Sequence, residues 1–337
     1  MDRSLSENLM KSMRLGWNLG NTLDAPMGET SWHNPVTTPE MIKKIHDIGF
    51  ETLRIPTSWH RHVDEDFNID PAWLDRVNEI VDYAYNDGMY VILNIHHDDR
   101  MFQPTAEGFD GGVKYLTAIW SQLAKRFESC GERLIFEGMN EPRMVRHQYE
   151  WNLNLTDQLC LDAIEYINRF NQVFVDTVRA ADGNNKSRFL MTPSYAAAPH
   201  HAFIPAFKLA HDPADRLIVS VHCYAPIPLC LMPNPDVREF TPRGEHALDE
   251  IMERLHKCFI ANDIPVVIGE MGIWDKGNPE ERYKWSKYFV SKAKEHGMVS
   301  VWWDNGGHEY KIFDRINCKI YDFCEPVVKG LLEGASL

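Results

Sequence analysis

No run in this chain approaches the roughly 18 consecutive apolar residues that a membrane-spanning helix needs, so no membrane partner is expected. Basic residues are in short supply: 35 Lys+Arg stand against 49 Asp+Glu, a formal net charge of −14. Nucleic acid and anionic lipid surfaces both need a basic face, so neither is expected as a partner, whereas a neutral ligand is compatible. The seven cysteines (Cys130, Cys160, Cys223, Cys230, Cys258, Cys318, Cys324) include no Cys-x-x-Cys pair. That spacing argues against a zinc ribbon and against a dense disulfide framework. They read instead as small buried hydrophobes, with Cys318–Cys324 the candidate bridge if one forms. Low-complexity stretches, Ser/Gly linkers and short repeats are missing as well. The start, Met1-Asp2-Arg3-Ser4, is not a signal peptide, so secretion would require a leader outside this sequence.

What is present is the profile of a globular enzyme: 337 residues, 44% hydrophobic and 25% charged. The length alone would suit two domains, but barrel folds of this size often form one. A unit recurs along the chain: a short apolar, β-branched run, a polar loop, then a longer segment with helical spacing. The predicted strands are Arg14–Gly20, Thr52–Pro56, Tyr90–Ile95, Leu134–Met139, Arg188–Thr192, Leu217–His222, Pro265–Gly269 and Val299–Trp303. Their near-continuous apolar character is that of strands buried on both faces. Helices are expected between them. Thr38-Pro39-Glu40-Met41 opens one, with Met41, Ile42, Ile45 and Ile48 at helical intervals before Gly49. Pro71–Asp87, Gly112–Ser129, Leu161–Ala181, Ala247–Asn262 and Glu280–Gly297 follow the same pattern, and Phe203–Ala210 is the weakest. Strand and helix alternating eight times reads as an α/β fold, a (β/α)8 TIM barrel, with residues 1–337 forming one catalytic domain.

In such a barrel the active site lies at the carboxyl ends of the strands. Those ends carry Asn18 and Asn21, Arg54, His96-His97, Asn140-Glu141, Ser194-Tyr195, His222 with Tyr224, Glu270, and Trp302-Trp303. Polar and aromatic groups thus gather where the strand bodies are apolar. Two of them are carboxylates, Glu141 and Glu270, on the fourth and seventh strands. Cleaving a glycosidic bond needs one acid to protonate the leaving oxygen and a second carboxylate to attack or to activate water. The two must sit in different environments, so that one stays protonated while the other is ionised. Arg54 is placed to keep one ionised. Trp17, Trp32, Trp59, Trp274 and Trp303 are candidates for stacking on sugar faces.

The strings Gly16-Trp17-Asn18-Leu19-Gly20-Asn21-Thr22-Leu23-Asp24, Leu53-Arg54-Ile55-Pro56, Asn94-Ile95-His96-His97, Gly138-Met139-Asn140-Glu141-Pro142, His222-Cys223-Tyr224, Ile268-Gly269-Glu270-Met271-Gly272 and Trp302-Trp303-Asp304-Asn305-Gly306 together resemble glycoside hydrolase family 5, the cellulase family. The first and last, with Trp32-His33-Asn34-Pro35-Val36-Thr37-Thr38, resemble its subfamily of bacterial endoglucanases and xyloglucanases. The likeness runs from about Arg14 to Gly330. It implies a retaining hydrolase of β-1,4-linked glucan, with Glu141 as acid/base and Glu270 as nucleophile. It further implies that Asn140 binds the sugar 2-hydroxyl, that Arg54 and Tyr224 hold the nucleophile, and that His222 stands beside the acid/base. His96, His97 and Asn21 would line the cleft, and Trp303 would lie under the sugar at the cleaved position. No metal and no organic cofactor is implied. A cis bond from Trp303 to Asp304 is also expected on this likeness. Two departures fall in loops that contact flanking sugars: Asp98-Asp99-Arg100 follows His97 where relatives often carry an aromatic, and His33 follows Trp32 where Gly is common.

Two rival readings come from other classes. His96-His97, Asp98 and His222, or His200-His201, sketch a metal-dependent barrel hydrolase, although the first strand lacks the His-x-His that such sites use. A non-catalytic carbohydrate-binding barrel would be favoured only if Glu141 or Glu270 were replaced. Within the hydrolase reading, xylanase and mannanase are the alternatives to a β-glucanase. A secreted monomer acting on β-glucan polysaccharide is expected, since a long polysaccharide cannot enter a cell.

Overall fold

Eight parallel strands close on themselves in chain order: β1 (Leu15–Leu19), β2 (Thr52–Ile55), β3 (Tyr90–Asn94), β4 (Leu134–Glu137), β5 (Leu190–Pro193), β6 (Leu217–His222), β7 (Val266–Met271) and β8 (Val299–Asp304). The computed structural model describes residues 1–336. The barrel is sealed between β8 and β1, which pair from Leu15 opposite Ser300 to Leu19 opposite Asp304. The helices are α1 (Arg3–Met13), α2 (Pro39–Ile48), α3 (Pro71–Asn86), α4 (Ala106–Arg126), α5 (Gln158–Ala180), α6 (Pro199–Ala202), α7 (Ile227–Cys230), α8 (Pro242–Cys258), α9 (Pro279–Glu295) and α10 (Glu325–Ser336). Among the described residues no helix is long and apolar enough to cross a membrane.

Local chemistry sets the helix starts. The Thr38 hydroxyl accepts from Met41 N, and Pro39 occupies the first helical position where no N–H is needed. Thr105 and Thr241 cap α4 and α8 in the same way, so these helices begin at Ala106 and Pro242, ahead of the expected Gly112 and Ala247. The expected helix Phe203–Ala210 does not form; α6 is a single turn that ends at Ala202. Pro205 explains this, because it lacks an N–H and biases Ile204 away from helical torsions. The Asn168 side chain instead binds the Ala206 carbonyl and the Lys208 amide. All seven cysteines are free, so the Cys318–Cys324 bridge is not made. The expected cis bond from Trp303 to Asp304 is also absent; the cis peptide is Ala225–Pro226. Asp304 remains in the β8 ladder opposite Leu19, and its carbonyl accepts from Gly20 N, both of which a trans peptide preserves. A non-proline cis bond would cost about 3–4 kcal/mol.

The two-residue period of a strand sorts the barrel interior into storeys. Along β3 one face presents Ile92, Asn94 and then His96 just past the strand end; β6 presents Ile218, Ser220 and His222; β4 presents Ile135 and Glu137. The lowest storey is apolar. Ile92, Ile135, Met191, Ile218, Val267, Val299 and Val301 pack together and against Leu9, Met10 and Met13 of α1, which plugs the floor. The intervening residues face outward, where Leu53, Leu93, Phe136, Val219 and Ile268 meet the helix layer in the main core. The sequence reading had no place for α1, because nothing in a short amphipathic segment says that it will cap a barrel. We expect Met13→Ala to lower unfolding free energy by about 2–5 kcal/mol through the cavity it leaves, measured by denaturant titration.

Candidate active site

Above the apolar floor lies a buried polar storey built around one guanidinium. Arg54 on β2 is inaccessible to solvent and spends its donors in four directions. Its Nε donates to Glu137 Oε2 at 2.8 Å and Nη2 to Asn140 Oδ1 at 2.7 Å; Nη1 donates to both Asn18 Oδ1 and Glu270 Oε1 at 2.9 Å. Burial opposes this charge, but Glu137 and Glu270 outweigh it and raise the Arg54 pKa. Glu137, itself fully buried, also accepts from Ser220 Oγ at 2.5 Å and Asn94 Nδ2 at 3.0 Å. Asn18 Nδ2 donates to the carbonyls of Gly269 and Trp302, tying β1 to the strands that carry Glu270 and Trp303.

The upper storey contains the two predicted carboxylates. The β6–β7 and β7–β8 ladders both shift register around Gly269-Glu270. Such bulges turn a side chain away from its regular direction. Glu270 is nearly buried, with Oε1 on Arg54 and Oε2 accepting from the Tyr224 hydroxyl at 3.0 Å. Glu141 follows β4; its Oε1 lies 2.8 Å from His222 Nδ1, and its side chain is one-fifth exposed to the cleft. His222 Nδ1 is also 3.6 Å from Glu270 Oε2. One oxygen from each carboxylate and a ring nitrogen of His222 lie within 4.8 Å of one another. So close an approach suits the shorter of the two carboxyl separations that glycosidases use, about 5–5.5 Å in retaining enzymes against about 6.5–9.5 Å in inverting ones.

These three groups titrate together. Burial disfavours a charged His222, yet the carboxylates of Glu270 and Glu141 outweigh it and raise its pKa. Burial pushes Glu141 up, but the hydrogen bond and charge of His222 bring it below the ordinary carboxyl value. Glu270 is raised by burial, with the neighbouring Glu141 charge adding to it against Arg54 and His222. The cluster therefore retains a proton more readily than two exposed carboxylates would.

The remaining predicted residues divide. Trp303, only 9% exposed, lies parallel to the His96 ring at 5.7 Å and 3°, forming a wall of the cleft. Gly20 is required behind it, because a Cβ there would sit 2.8 Å from the Asp304 carbonyl and 3.0 Å from the Trp303 ring. Burial lowers His96 well below the usual imidazole value and His97 to about 4, so both are neutral rings at neutral pH. Trp32 is 41% exposed and leans on His97 at 5.5 Å; Asn21 is half-buried beside them in a left-handed conformation, its carbonyl held by Asn34. Trp274 is half-buried, edge-on to Tyr310, which in turn faces Tyr224. Trp59 is not a sugar platform. It is fully buried with Nε1 on the Asn94 carbonyl, because Asp98 draws the Trp59 and His60 amides inward. Trp17 is likewise core, donating to Asp304 Oδ2.

The ligand sets that the sequence suggested for a metal are not brought together as drawn. Asp98 faces Trp59, His60 and the Tyr115 hydroxyl instead of joining His96 and His97. His201 binds the Tyr195 carbonyl. Asp24, which does approach His96 and His97, has both oxygens on the amides of Asn21 and Thr22. In the Glu141–His222–Glu270 group, the Arg54 guanidinium already supplies the positive charge 2.9 Å from Glu270.

The chain is similar to known proteins over nearly its whole length. Residues 19–309 match the family model for cellulase, glycosyl hydrolase family 5. The chain is 40% identical to Endoglucanase B of Ruminococcus albus over 332 residues, covering 95% of this chain and 78% of that protein. It superposes on a glycoside hydrolase 5 lichenase from a Caldicellulosiruptor species, a mutant in complex with cellotetraose, with TM-score 0.94 and 39% identity, covering 98% of this chain and 95% of that one. A broad specificity endoglucanase from Clostridium acetobutylicum gives TM-score 0.90 at 39% identity, covering 97% and 99% of the two chains. The protein is a glycoside hydrolase. It belongs to family 5, the cellulase family.

Glu137 was missed at the sequence level, although a signal existed: it is the one charged residue in the apolar run Leu134-Ile135-Phe136-Glu137, where a buried strand must supply it a partner. We expect Glu137→Gln to cost about 3–5 kcal/mol of stability, because Arg54 is left without its deepest counter-charge. Denaturant unfolding of the purified variant measures this.

Proposed function

We propose that the protein is a retaining endo-β-1,4-glucanase, acting on the backbones of cellulose, xyloglucan and mixed-linkage glucan, with Glu270 as nucleophile and Glu141 as acid/base. The observation that carries this reading is the close approach of these two carboxylates, each with a different set of partners. Both Glu270 oxygens face donors, Arg54 Nη1 and Tyr224 Oη, which orient the carboxylate for attack although burial raises its pKa. Glu141 has one oxygen on His222, while its other oxygen has no hydrogen-bond partner among the described residues and is free to carry a proton toward the leaving oxygen.

The reaction then follows in two displacements. Glu270 attacks the anomeric carbon as Glu141 gives its proton to the departing sugar oxygen, and a covalent glycosyl-enzyme forms. Glu141, now a carboxylate beside His222, takes a proton from water as that water attacks the same carbon. Glu270 is released and the anomeric configuration is retained. On this reading Asn140, which accepts from Arg54, binds the sugar 2-hydroxyl, and Trp303, parallel to His96, supports the ring at the cleaved position. The reading uses protein side chains alone, with no metal or organic cofactor. A polymeric substrate favours a secreted enzyme, and a cleft built from one chain favours a monomer. Xylan and mannan are the alternative backbones to β-glucan within this class.

Product analysis on purified polysaccharides, with retention of the β-anomer followed by NMR, tests the class. Glu270→Gln is expected to lower kcat by at least about a thousandfold, since no other group replaces the nucleophile. Turnover is expected to withstand a strong chelator; chelator-sensitive turnover would overturn the mechanism. The profile of kcat/KM against pH is expected to be bell-shaped. Activity falls at acid pH as Glu270 is protonated and at alkaline pH as the Glu141–His222 pair loses its proton. Because Glu137 shares the Arg54 charge, Glu137→Gln leaves more of it to Glu270 and moves the acid limb to lower pH.

A further inference from the structure

Past β8 the chain forms a two-stranded antiparallel hairpin, β9 (Phe313–Asp314) and β10 (Lys319–Ile320). Asp314 shapes its turn, with Oδ1 accepting the amides of Ile316 and Asn317 at 3.1 and 3.0 Å. Ile316 is left 79% exposed, while its neighbour Arg315 is buried. Burying a guanidinium from a surface turn carries a desolvation cost that only well-placed partners offset.

Those partners are the two strand ends that meet at the barrel seam. Arg315 Nη2 donates to the Asp304 carbonyl at 2.6 Å and to Asp304 Oδ1 at 3.3 Å, and Nη1 donates to Thr22 Oγ1 at 2.7 Å. The guanidinium also lies over the Trp17 ring, 5.2 Å from its centroid. The same Asp304 carbonyl accepts from Gly20 N at 3.0 Å, and Gly20 is the residue directly behind the Trp303 ring. Thr22 in turn donates its amide to Asp24 Oδ1 at 2.7 Å. Asp24 Oδ2 is 3.7 Å from His97 Nε2, and Ser58 Oγ, which donates to the Asp24 carbonyl, accepts from His97 N. The fork of Arg315 is thus connected to both ends of the wall that runs from Trp303 through His96 to His97. Burial raises the Asp24 pKa to about 7, against the amides of Thr22 and Asn21 and the charge of Arg315, so one cation serves two buried carboxylates, Asp24 and Asp304.

We propose that Arg315 is a positioning residue for hydrolysis: by bridging Asp304 and Thr22 it locks the seam between β8 and β1, and so sets the depth and plane of Trp303 beneath the sugar at the cleaved bond. The β1–β8 ladder ends at Leu19 opposite Asp304. Past that pair the two strand ends are joined by Asn34, which binds the carbonyls of Asn21 and Asn305, and by the charged fork of Arg315. A misplacement of about 1 Å in a group that holds the substrate can cost about a hundredfold in rate, even when its cause lies outside the site. Lysine does not replace this arginine, because it carries the charge without the planar fork that serves two acceptors in fixed directions. The assignment rests on the reading of Trp303 as the support beneath the cleaved sugar, and adds the residue that holds it there.

A double-mutant cycle on kcat/KM for 4-nitrophenyl β-cellobioside tests the assignment. Arg315→Lys is expected to lower kcat/KM about tenfold while the melting temperature stays near that of the parent, because Asp24 and Asp304 keep a counter-charge. Thr22→Val, which removes one acceptor and no charge, is expected to lower it several-fold. Trp303→Ala is expected to lower it about a hundredfold, and adding Arg315→Lys to that variant to cost less than about twofold more, since no ring is then left to position. Losses that multiply in the double variant would overturn the proposal, as would parental activity in both Arg315→Lys and Thr22→Val. If Arg315→Lys does not fold, the same cycle run with Thr22→Val decides the matter by the same criterion. A Trp303→Ala enzyme as active as the parent would remove the reading of Trp303, and the assignment of Arg315 with it. A parent inactive on this cellobioside and on soluble mixed-linkage glucan would instead remove the glucanase reading beneath both.

Discussion

A single buried guanidinium organises this molecule. Arg54 is held below the cleft by Glu137 and Asn18 and reaches upward to Glu270 and Asn140, so strands β1, β2, β4 and β7 converge on one cation. An arginine suits this position because its planar fork keeps its charge when buried and serves several acceptors in fixed directions. Its solvation has been exchanged for four protein acceptors, which is tolerable only when each is aligned. The consequence is preorganisation. Glu270 is oriented before any ligand arrives, and Asn140, the residue beside Glu141, is oriented by the same group.

The storeys of the barrel explain how such a charge is accommodated in so apolar a body. Ile92, Ile135 and Ile218 form a dry floor with α1 beneath it; two residues further along each strand come Asn94, Glu137 and Ser220. A further step on β3 and β6 brings His96 and His222. Polarity thus increases along each strand toward its carboxyl end. The middle storey satisfies its own hydrogen bonds and transmits rigidity from floor to cleft. The upper storey is then exposed only in part: Glu141 faces the cleft, while Glu270 and Trp303 are almost covered.

The aromatic residues show how differently one residue type is used. Trp17, Trp59, Trp120, Trp285 and Trp302 are sealed in the body of the protein, their indole N–H groups matched to carbonyls or to Asp304 where those bonds form. Trp32, Trp151 and, in part, Trp274 stand at the surface around the cleft. Adjacency in sequence to a strand end did not separate these groups. Trp59 follows β2 by a few residues and is nonetheless drawn into the core by Asp98, a residue from the neighbouring strand loop. That contact joins residues 39 positions apart, and local pattern contains no trace of it.

From the chain alone, the periodicity of apolar residues set eight strands and most of their helices, because a strand buried on both faces and a helix buried on one leave unmistakable spacings. The strand ends then identified Glu141, Glu270, Arg54, His222 and Tyr224, since polar residues at those points have no packing reason to be there. Tertiary structure decided the rest. It broke the expected helix Phe203–Ala210 at Pro205, kept the Trp303–Asp304 peptide trans within its ladder, and placed α1 under the barrel. It also revealed Glu137 as the counter-charge beneath Arg54. Spacing along a chain encodes which face a residue occupies; only closure of the barrel determines which other faces it meets, and the electrostatics of the site arise from those meetings.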